Sequence, residues 1–224
     1  MLFTIEKYIL LFFIYSIAGW IIEVVGKLIE KKKFINRGFL IGPYCPIYGY
    51  GSILITILLE KYTNDVIVLF FMSMVICALL EYLTSYFMEK IFHTRWWDYS
   101  RYKFNINGRI CLETMIPFGL LGCFVMYVSN PFFIKLINYT PMNVMHVISI
   151  ILLVIYTADN IISFNIIKNI KITAESLKDN TEEITKKVRE TLYNKSASTR
   201  RIVDAFPNMQ IIRDKIKKKI DKLK

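Results

Sequence analysis

Two charge-free stretches determine the class of fold. Residues 114–134 read TMIPFGLLGCFVMYVSNPFFI, residues 136–158 read LINYTPMNVMHVISIILLVIYTA, and neither contains Asp, Glu, Lys or Arg. A bilayer core about 30 Å thick needs roughly 20 helical residues to cross it, so each stretch is long enough. We expect Pro131 and Pro141 to mark the turn between the two helices.

Three further apolar windows precede these two. The sequence predicts five spans, over about residues 5–28, 38–59, 66–90, 112–134 and 136–162. A cleaved signal peptide is the alternative for the first span, but this segment lacks a basic start and an Ala-x-Ala cleavage site. The predicted fold class is therefore all-α, a polytopic integral membrane protein.

The composition also indicates a membrane protein. Of the 224 residues, 54% are hydrophobic and only 21% are charged, and the mean hydropathy is +0.41. These values argue against a soluble domain, a disordered chain or a nucleic-acid-binding protein. The bilayer itself is thus the first expected partner.

The distribution of positive charge predicts the orientation. Ten Lys or Arg residues follow the first and third spans: Lys27, Lys31, Lys32, Lys33, Arg37, Lys90, Arg95, Arg101, Lys103 and Arg109. Only three, Lys7, Lys61 and Lys135, lie near the opposite ends. Because short cytoplasmic loops collect Lys and Arg, we expect the N-terminus outside and the C-terminus in the cytoplasm.

Residues 163–224 form a basic tail, with 16 Lys or Arg against 8 Asp or Glu. Two apolar stripes predict amphipathic helices separated by a break at residues 205–208; the stripes are Leu177, Ile184, Val188 and Leu192, then Ile212, Ile216, Ile220 and Leu223. Such a tail suits the surface of an anionic membrane. A solvated helix without a partner is the alternative.

Carboxylates inside the spans are the most informative residues, since an ionisable group at membrane depth is costly unless it is paired or hydrated. Glu81, Ser85 and Glu89 are spaced four residues apart and form one polar stripe on a helix. The candidate pathway residues are Glu23, Glu81, Glu89 and Glu113, with Arg37, Arg95, Asp98 and Arg109 from the neighbouring loops. Asp159, near the end of the last span, is interpreted as structural.

Two interpretations of these acids and arginines remain open. The first is a polar vestibule, open to the cytoplasm, that binds a substrate head group, a cation or a proton. The second is a set of structural ion pairs that hold loops onto the bundle. Glu81 is the deepest acid, and it favours the first interpretation.

Residues 36–51 read NRGFLIGPYCPIYGYG, with four glycines and two prolines. A regular helix is doubtful before about Ile47, so the second span is expected to start with unwound backbone that lines a cavity. The candidate lining residues are Gly38, Gly42, Pro43, Cys45, Pro46 and Gly49. Close helix packing around small residues is the alternative.

Residues 93–100 read HTRWWDYS and are followed by a loop that ends in Gly108-Arg109. Trp96, Trp97 and Tyr99 are typical of anchors at a membrane interface. The Arg95 and Asp98 pair suggests instead that the loop folds across the vestibule as a lid or a coupling element.

Enzyme hypotheses find little support in the residues. With two histidines, His93 and His146, a three-histidine metal site is excluded. The four cysteines, Cys45, Cys77, Cys111 and Cys123, contain no Cys-x-x-Cys pair and are expected to be small buried hydrophobes. We therefore expect no metal, no cofactor and no catalytic residue, although a lipid-head-group enzyme using Glu81 or Glu89 stays open.

Residues 36–51, 81–100 and 104–113 strongly resemble the bacterial family of ABC-transporter type IV permeases, also called CmpB-like membrane proteins. The Ala-Phe-Pro-Asn run at residues 205–208 is similar to the ending of that family. The resemblance implies a transport protein of the bacterial cytoplasmic membrane with about five spans.

The chain contains no Gly-x-x-x-x-Gly-Lys-Ser/Thr loop for ATP. A permease of this kind would thus receive ATP hydrolysis from a separate cytoplasmic ATPase subunit, with residues 91–109 as the contact, and would form a homo-oligomer around a shared pathway. The alternative is a non-transport membrane protein, either a lipid-head-group enzyme or a membrane scaffold.

Overall fold

The computed structural model describes residues 2–92, 94–176, 186, 190–191, 193–194, 196–206 and 209–211. Its helices are α1 (Leu2–Lys31), α2 (Pro46–Leu59), α3 (Val66–Phe92), α4 (Leu112–Phe124), α5 (Asn130–Asn138), α6 (Met142–Ser176) and α7 (Ala197–Ala205). Its strands are β1 (Thr94–Arg95), β2 (Asn105–Ile106), β3 (Ile110–Cys111) and β4 (Gln210–Ile211). The strands form two antiparallel pairs, β1 with β4 and β2 with β3.

Four helical stretches are long and apolar enough to cross a bilayer. They are Thr4–Lys31, Val66–Phe92, Leu112–Asn138 and Met142–Ile167. The all-helical membrane class is therefore confirmed, whereas the count of five spans is not confirmed within the described residues. The ends of α1 and α3 and the start of α4 meet at one end of the bundle, which we call the basic end because loops 32–37 and 94–111 attach there.

The difference from five spans lies in the predicted window 38–59. Residues 32–45 are not helical, and Cys45 has extended backbone angles immediately before Pro46 starts α2. The predicted non-helical start is thus confirmed. The remaining helix has 14 residues, and at 1.5 Å per residue it is about 21 Å long, shorter than a bilayer core.

Pro131 does not mark a turn between two spans, so that expectation is wrong. It lies in the first turn of α5, which continues α4 through the π-helical turn Val125–Ser129, and the chain reverses only after Asn138. Proline has no N–H group and collides with the preceding turn of an α-helix. The wide π turn before Pro131 accommodates this mismatch without ending the span.

Glycines allow two helix pairs to approach closely. A Cβ atom on Gly49 of α2 would lie 2.3 Å from Ser16 Oγ and 2.6 Å from the Phe12 carbonyl oxygen of α1. A Cβ atom on Gly122 of α4 would lie 2.2 Å from Ser73 Oγ of α3. Small residues at these crossings replace side-chain packing with direct contact between backbones.

The tail returns to the basic end. Helix α7 begins with a capping box formed by Ser196 and Thr199, and it ends at Ala205, where the sequence predicted a break. Its apolar face completes a cluster at the basic end whose buried members are Phe92, Trp96, Ile167, Ile202, Val203 and Met209. The two predicted amphipathic stripes, Leu177 to Leu192 and Ile212 to Leu223, lie outside the described residues.

Candidate functional site

The non-helical segment 32–45, which we call the re-entrant segment, runs back into the bundle from the end of α1. The Cys45 N–H donates to the carbonyl oxygen of Ser16 at 2.8 Å. Ser16 lies 15 residues before Lys31, so Cys45 is about 22 Å along α1 from the basic end. Gly38, with φ of 103°, starts this return in a conformation that favours glycine.

Asp159 of α6 binds the N–H groups of the re-entrant segment. Its carboxylate accepts from the backbone N–H of Ile41 at 3.0 Å and of Gly42 at 2.8 Å. It also accepts from the Tyr44 hydroxyl at 2.6 Å and the Ser163 hydroxyl at 2.9 Å. Asp159 is 8% exposed and has a structural role, because it pairs backbone groups that have no helical partner.

Arg201 of α7 binds the carbonyl groups of the same segment. Its guanidinium donates to the carbonyl oxygens of Leu40 at 2.7 Å, Phe39 at 3.1 Å and Gly38 at 3.4 Å. Burial lowers the pKa of Arg201, and the charge of Asp159 opposes that shift. Two ions on different helices therefore satisfy irregular backbone deep in the bundle, where such backbone is tolerated only inside protein.

The glycines of the re-entrant segment are packed. A Cβ atom on Gly42 would lie 2.3 Å from the Tyr44 ring, and one on Gly38 would lie 3.1 Å from Cys45 Sγ. With Gly49 against α1, these contacts favour close packing over the predicted lining of a cavity. Pro43 is exposed and Pro46 starts α2, while Cys45 is buried.

Glu89 is the centre of an ionic cluster at the basic end. It binds Arg95 Nε at 3.1 Å and Arg109 Nη1 at 2.9 Å, and Arg95 also reaches Asp98 at 3.6 Å. Arg109 is buried, donates to the Ser85 hydroxyl at 3.2 Å and lies over the rings of Tyr82 and Tyr86. The structure thus brings together Glu89, Arg95, Asp98 and Arg109, four of the charged residues that the sequence placed at the same depth.

Glu23 of α1 is held by two groups. Its carboxylate accepts from Arg37 Nε at 3.2 Å and from the Tyr48 hydroxyl at 2.8 Å. Arg37 also donates to the carbonyl oxygen of Ala205 at the end of α7. The predicted pairing of Arg37 with an acid is therefore observed, and the same arginine joins α1 to the tail.

Glu81 differs from these acids because it has no basic partner among the described residues. It is 7% exposed, and Oε1 accepts from the Tyr99 hydroxyl at 3.2 Å. Oε2 is buried and has no hydrogen-bond partner in the part of the chain that the structure describes. Glu81 lies 11 residues from the end of α3 at Phe92, which is about 16 Å along the helix.

The polar stripe on α3 extends further than Glu81. Ser73, two turns before Glu81, is fully buried, and its hydroxyl has no partner among the described residues. Cys77 lies between them and interacts electrostatically with Glu81. Sequence reasoning missed Ser73 and Cys77, although both continue the four-residue spacing of Glu81, Ser85 and Glu89.

Glu113 is the candidate that does not join the site. It lies in the first turn of α4, is exposed, and makes no ion pair or hydrogen bond with the described part of the chain. Its rotational position on the helix carries it away from the cluster. Glu113 therefore lies apart from the ionic cluster around Glu89, and its place in a pathway stays a prediction.

The loop 94–111 is folded onto the bundle. Trp96 is 3% exposed, Trp97 donates its indole N–H to the Arg109 carbonyl at 3.1 Å, and Tyr99 reaches Glu81. The interpretation of these residues as lipid anchors is wrong for Trp96, and the other two have partners inside the protein. Gly108, with φ of 66°, allows the return, since a Cβ atom there would lie 2.5 Å from Asp98 Oδ1.

The structure describes all four cysteines and one of the two histidines. All four cysteines are free, with Cys45 and Cys111 buried. His146 of α6 pairs with the buried Glu6 of α1 at the end opposite the basic end, and His93 lies outside the described residues. Within those residues, no group of three His, Cys, Asp or Glu side chains is placed to hold a metal ion.

A family model described as "Putative ABC-transporter type IV", of the CmpB proteins, matches residues 10–164. The chain belongs to this family. The match includes most of α1 and α6, all of α2 to α5, the re-entrant segment and the loop 94–111. The region around Glu81 is therefore part of the CmpB-family region. Arg201 and α7 lie beyond it. Neither the curated proteins nor the solved structures contain a match to the chain.

Proposed function

We propose that this CmpB-family protein is the membrane subunit of an ABC-type transporter and moves a solute through the polar interior around Glu81. The observation that carries the proposal is the buried Glu81 carboxylate, inside a region matched to an ABC-transporter family. One of its oxygens has no partner within the described ranges of the chain. An unpaired acid at this depth is costly to keep, so a functional role is favoured over a structural one.

The proposed orientation places the basic end in the cytoplasm of a bacterial cell, with the protein in the cytoplasmic membrane. The ten cations counted near that end support it, since they exceed the three near the opposite ends. Cysteine labelling from outside should then modify a cysteine introduced at Asn64 and leave one at Lys103 unmodified. The reverse pattern would invert the pathway.

The proposed partner is a cytoplasmic ATPase subunit, because the sequence has no phosphate-binding loop of its own. The loop 94–111 offers exposed side chains for such a contact, including Tyr102 and Phe104, which alternate with the cations Arg101 and Lys103. A homo-oligomer around a shared pathway and anionic lipid at the basic tail belong to the same proposal.

The test is purification of the full-length protein in mild detergent, followed by mass spectrometry and assay of ATP hydrolysis in nanodiscs. We expect an ATPase in stoichiometric amount, with a hydrolysis rate that changes on association. Glu81→Gln should keep the complex assembled and abolish this coupling, while Glu60→Gln, at an exposed acid outside the spans, should behave as wild type. Self-association without an ATPase would refute the proposal.

A further inference from the structure

The sign of the charge around Glu81 indicates what its site can accept. The region contains four carboxylates, those of Glu23, Glu81, Glu89 and Asp98. It contains three guanidinium groups, those of Arg37, Arg95 and Arg109, so one negative charge is in excess. Because the three arginines are bound to the other acids, the excess charge falls on Glu81. Its Oε2 atom is buried and has no hydrogen-bond partner among the described residues.

The cations near this region are already engaged. Arg37 binds Glu23 and the Ala205 carbonyl, while Arg109 binds Glu89 and Ser85. Arg201 is bound to three backbone carbonyls. Within the described residues, the only buried atoms of these guanidinium groups left without a partner are the Nε atoms of Arg109 and Arg201. An anionic group at Glu81 would therefore meet a carboxylate first.

The groups beside Glu81 are oxygen acceptors. The hydroxyls of Tyr48 and Tyr99 each donate their hydrogen to a carboxylate, so the remaining lone pairs of both oxygens can accept from a ligand. A Cβ atom on Gly51 of α2 would lie 3.6 Å from Cys77 Sγ of α3. One turn closer to the basic end on these two antiparallel helices, Tyr48 and the Glu23 carboxylate that it binds lie at the level of Glu81. Carboxylate and hydroxyl oxygens are the ligands that hard cations and ammonium groups require.

We propose that Glu81 is the centre of a cation-binding site, with Tyr48, Tyr99 and Glu23 around it, and that the transported or coupled species carries a positive charge there. This inference rests on the proposed function and deepens it by naming the class of ligand. The shared chemistry is a single positive charge bound to a buried carboxylate. Its source is an alkali ion, a protonated amine or the proton itself.

The experiment measures thermal unfolding of the full-length protein in phosphatidylcholine nanodiscs, and it needs neither an ATPase nor a transport assay. The three arms are titration with potassium or sodium chloride, titration with methylammonium chloride, and a pH series. The titratable groups near Glu81 in the pH arm are Tyr99, which binds it, Cys77 one turn away on α3, and the Tyr48–Glu23 pair on α2 and α1.

We expect the unfolding temperature of the wild type to rise in a saturable way in at least one arm. Binding to the folded state alone predicts a shift of roughly 5–10 °C at a hundred-fold excess over Kd. Glu81→Gln, which keeps the shape and removes the charge, should lose that response. Glu81→Asp should keep it with weaker affinity, and Glu60→Gln should respond as the wild type does.

The arm that responds identifies the source of the charge. A shift with alkali chloride indicates a metal cation, a shift with methylammonium alone indicates an amine, and a shift with pH alone indicates the proton. Equal responses of wild type and Glu81→Gln in every arm, or no response of the wild type in any arm, would overturn the inference. If the protein binds a cation at Glu81 but recruits no ATPase, the cation site is supported and the proposed role in an ABC-type transporter is refuted.

Discussion

The bundle is held together by different chemistry in its centre and at its basic end. In the centre, a neutral network joins α1, α2 and the α4–α5 span, and its members are Tyr15, Thr56, Ser129 and Asn130. At the basic end, ions do this. The Glu23–Arg37 pair joins α1 to the re-entrant segment, and the ionic cluster of Glu89, Arg95, Asp98 and Arg109 joins α3 to the loop 94–111.

The neutral network has short, matched contacts. Tyr15 donates to Asn130 Oδ1 at 2.6 Å, and Asn130 donates to Thr56 Oγ1 at 2.8 Å. Neutral groups of this kind cost little to bury once each has a partner. Ions cost more, but they can bind several backbone and side-chain groups at once. The comparison shows that charged groups are concentrated where the chain has irregular backbone. Glu81 differs from the other acids there because it has no basic partner among the described residues.

The largest expected effect comes from breaking the ionic cluster at Arg109. Arg109→Ala would leave Glu89 with one counter-ion and remove the contacts with Ser85, Tyr82 and Tyr86. Loss of one partner of a buried ion pair costs about 3–5 kcal/mol. We expect the unfolding temperature in nanodiscs to fall by roughly 6–20 °C.

Glu113→Ala is the matched control for Arg109→Ala. Glu113 lies four residues away in the chain, is exposed and has no partner among the described residues. Its removal should change stability by no more than about 0.5 kcal/mol. Equal losses in the two variants would show that the ionic cluster contributes little to stability, and that the groups around Arg109 are hydrated.

The next effect concerns the backbone of the re-entrant segment. Asp159→Asn would turn an acceptor into an amide that can present only one oxygen to the N–H groups of Ile41 and Gly42. A buried donor without a partner costs about 1–3 kcal/mol. We expect a lower unfolding temperature together with faster hydrogen exchange at residues 41–44.

Asn160→Ala is the control for that experiment. Asn160 is the neighbouring residue on α6, and its amide donates to the Tyr156 carbonyl of its own helix. It should therefore leave exchange in the re-entrant segment unchanged. Faster exchange in both variants would mean that α6 as a whole positions the segment, without a specific role for the Asp159 carboxylate.

Much of this architecture is readable in the sequence because it is encoded locally. Hydropathy marks the long helices, and the glycines and prolines of residues 36–46 mark the non-helical return. The depth of the charged residues relative to the predicted spans also predicted that Arg37, Arg95 and Arg109 would pair with acids. Each of these inferences depends only on spacing along one element and on the depth that this spacing implies.

Other features depend on rotation and on distant contacts. Glu113 has the right depth, but its direction from α4 is set by helix packing. Arg201 lies more than 160 residues from Leu40 and binds carbonyl groups, which leave no signature in side-chain patterns. Tyr99 is of a residue type that is typical of lipid anchors, and its contact with Glu81 depends on the fold of the loop.

A smaller effect tests the neutral network. Asn130→Ala would leave Tyr15 bound only to Ser129 and would remove the donor to Thr56. We expect a loss of about 1–2 kcal/mol, since each neutral hydrogen bond contributes about 1 kcal/mol. Asn138→Ala, at the end of the same span, should be close to neutral. A loss as large as that of Arg109→Ala would remove the distinction between the two regions.

The smallest effect connects the loop 94–111 to Glu81 and depends on pH. Burial raises the pKa of Tyr99, and the negative charge of Glu81 adds to the shift. Above about pH 10, the unfolded chain loses the Tyr99 proton while the folded protein keeps it. The stability that this group contributes is therefore present below about pH 10, and it is lost as pH rises towards the folded pKa. Tyr99→Phe should lower stability by about 1 kcal/mol at neutral pH and should reduce the alkaline slope by about 1.4 kcal/mol per pH unit. Phe104→Leu, at an exposed position of the same loop, should keep the wild-type slope. Unfolding followed at pH 9 to 11 checks this, and an unchanged slope in Tyr99→Phe would mean that the Tyr99 hydroxyl is not held beside a charged Glu81.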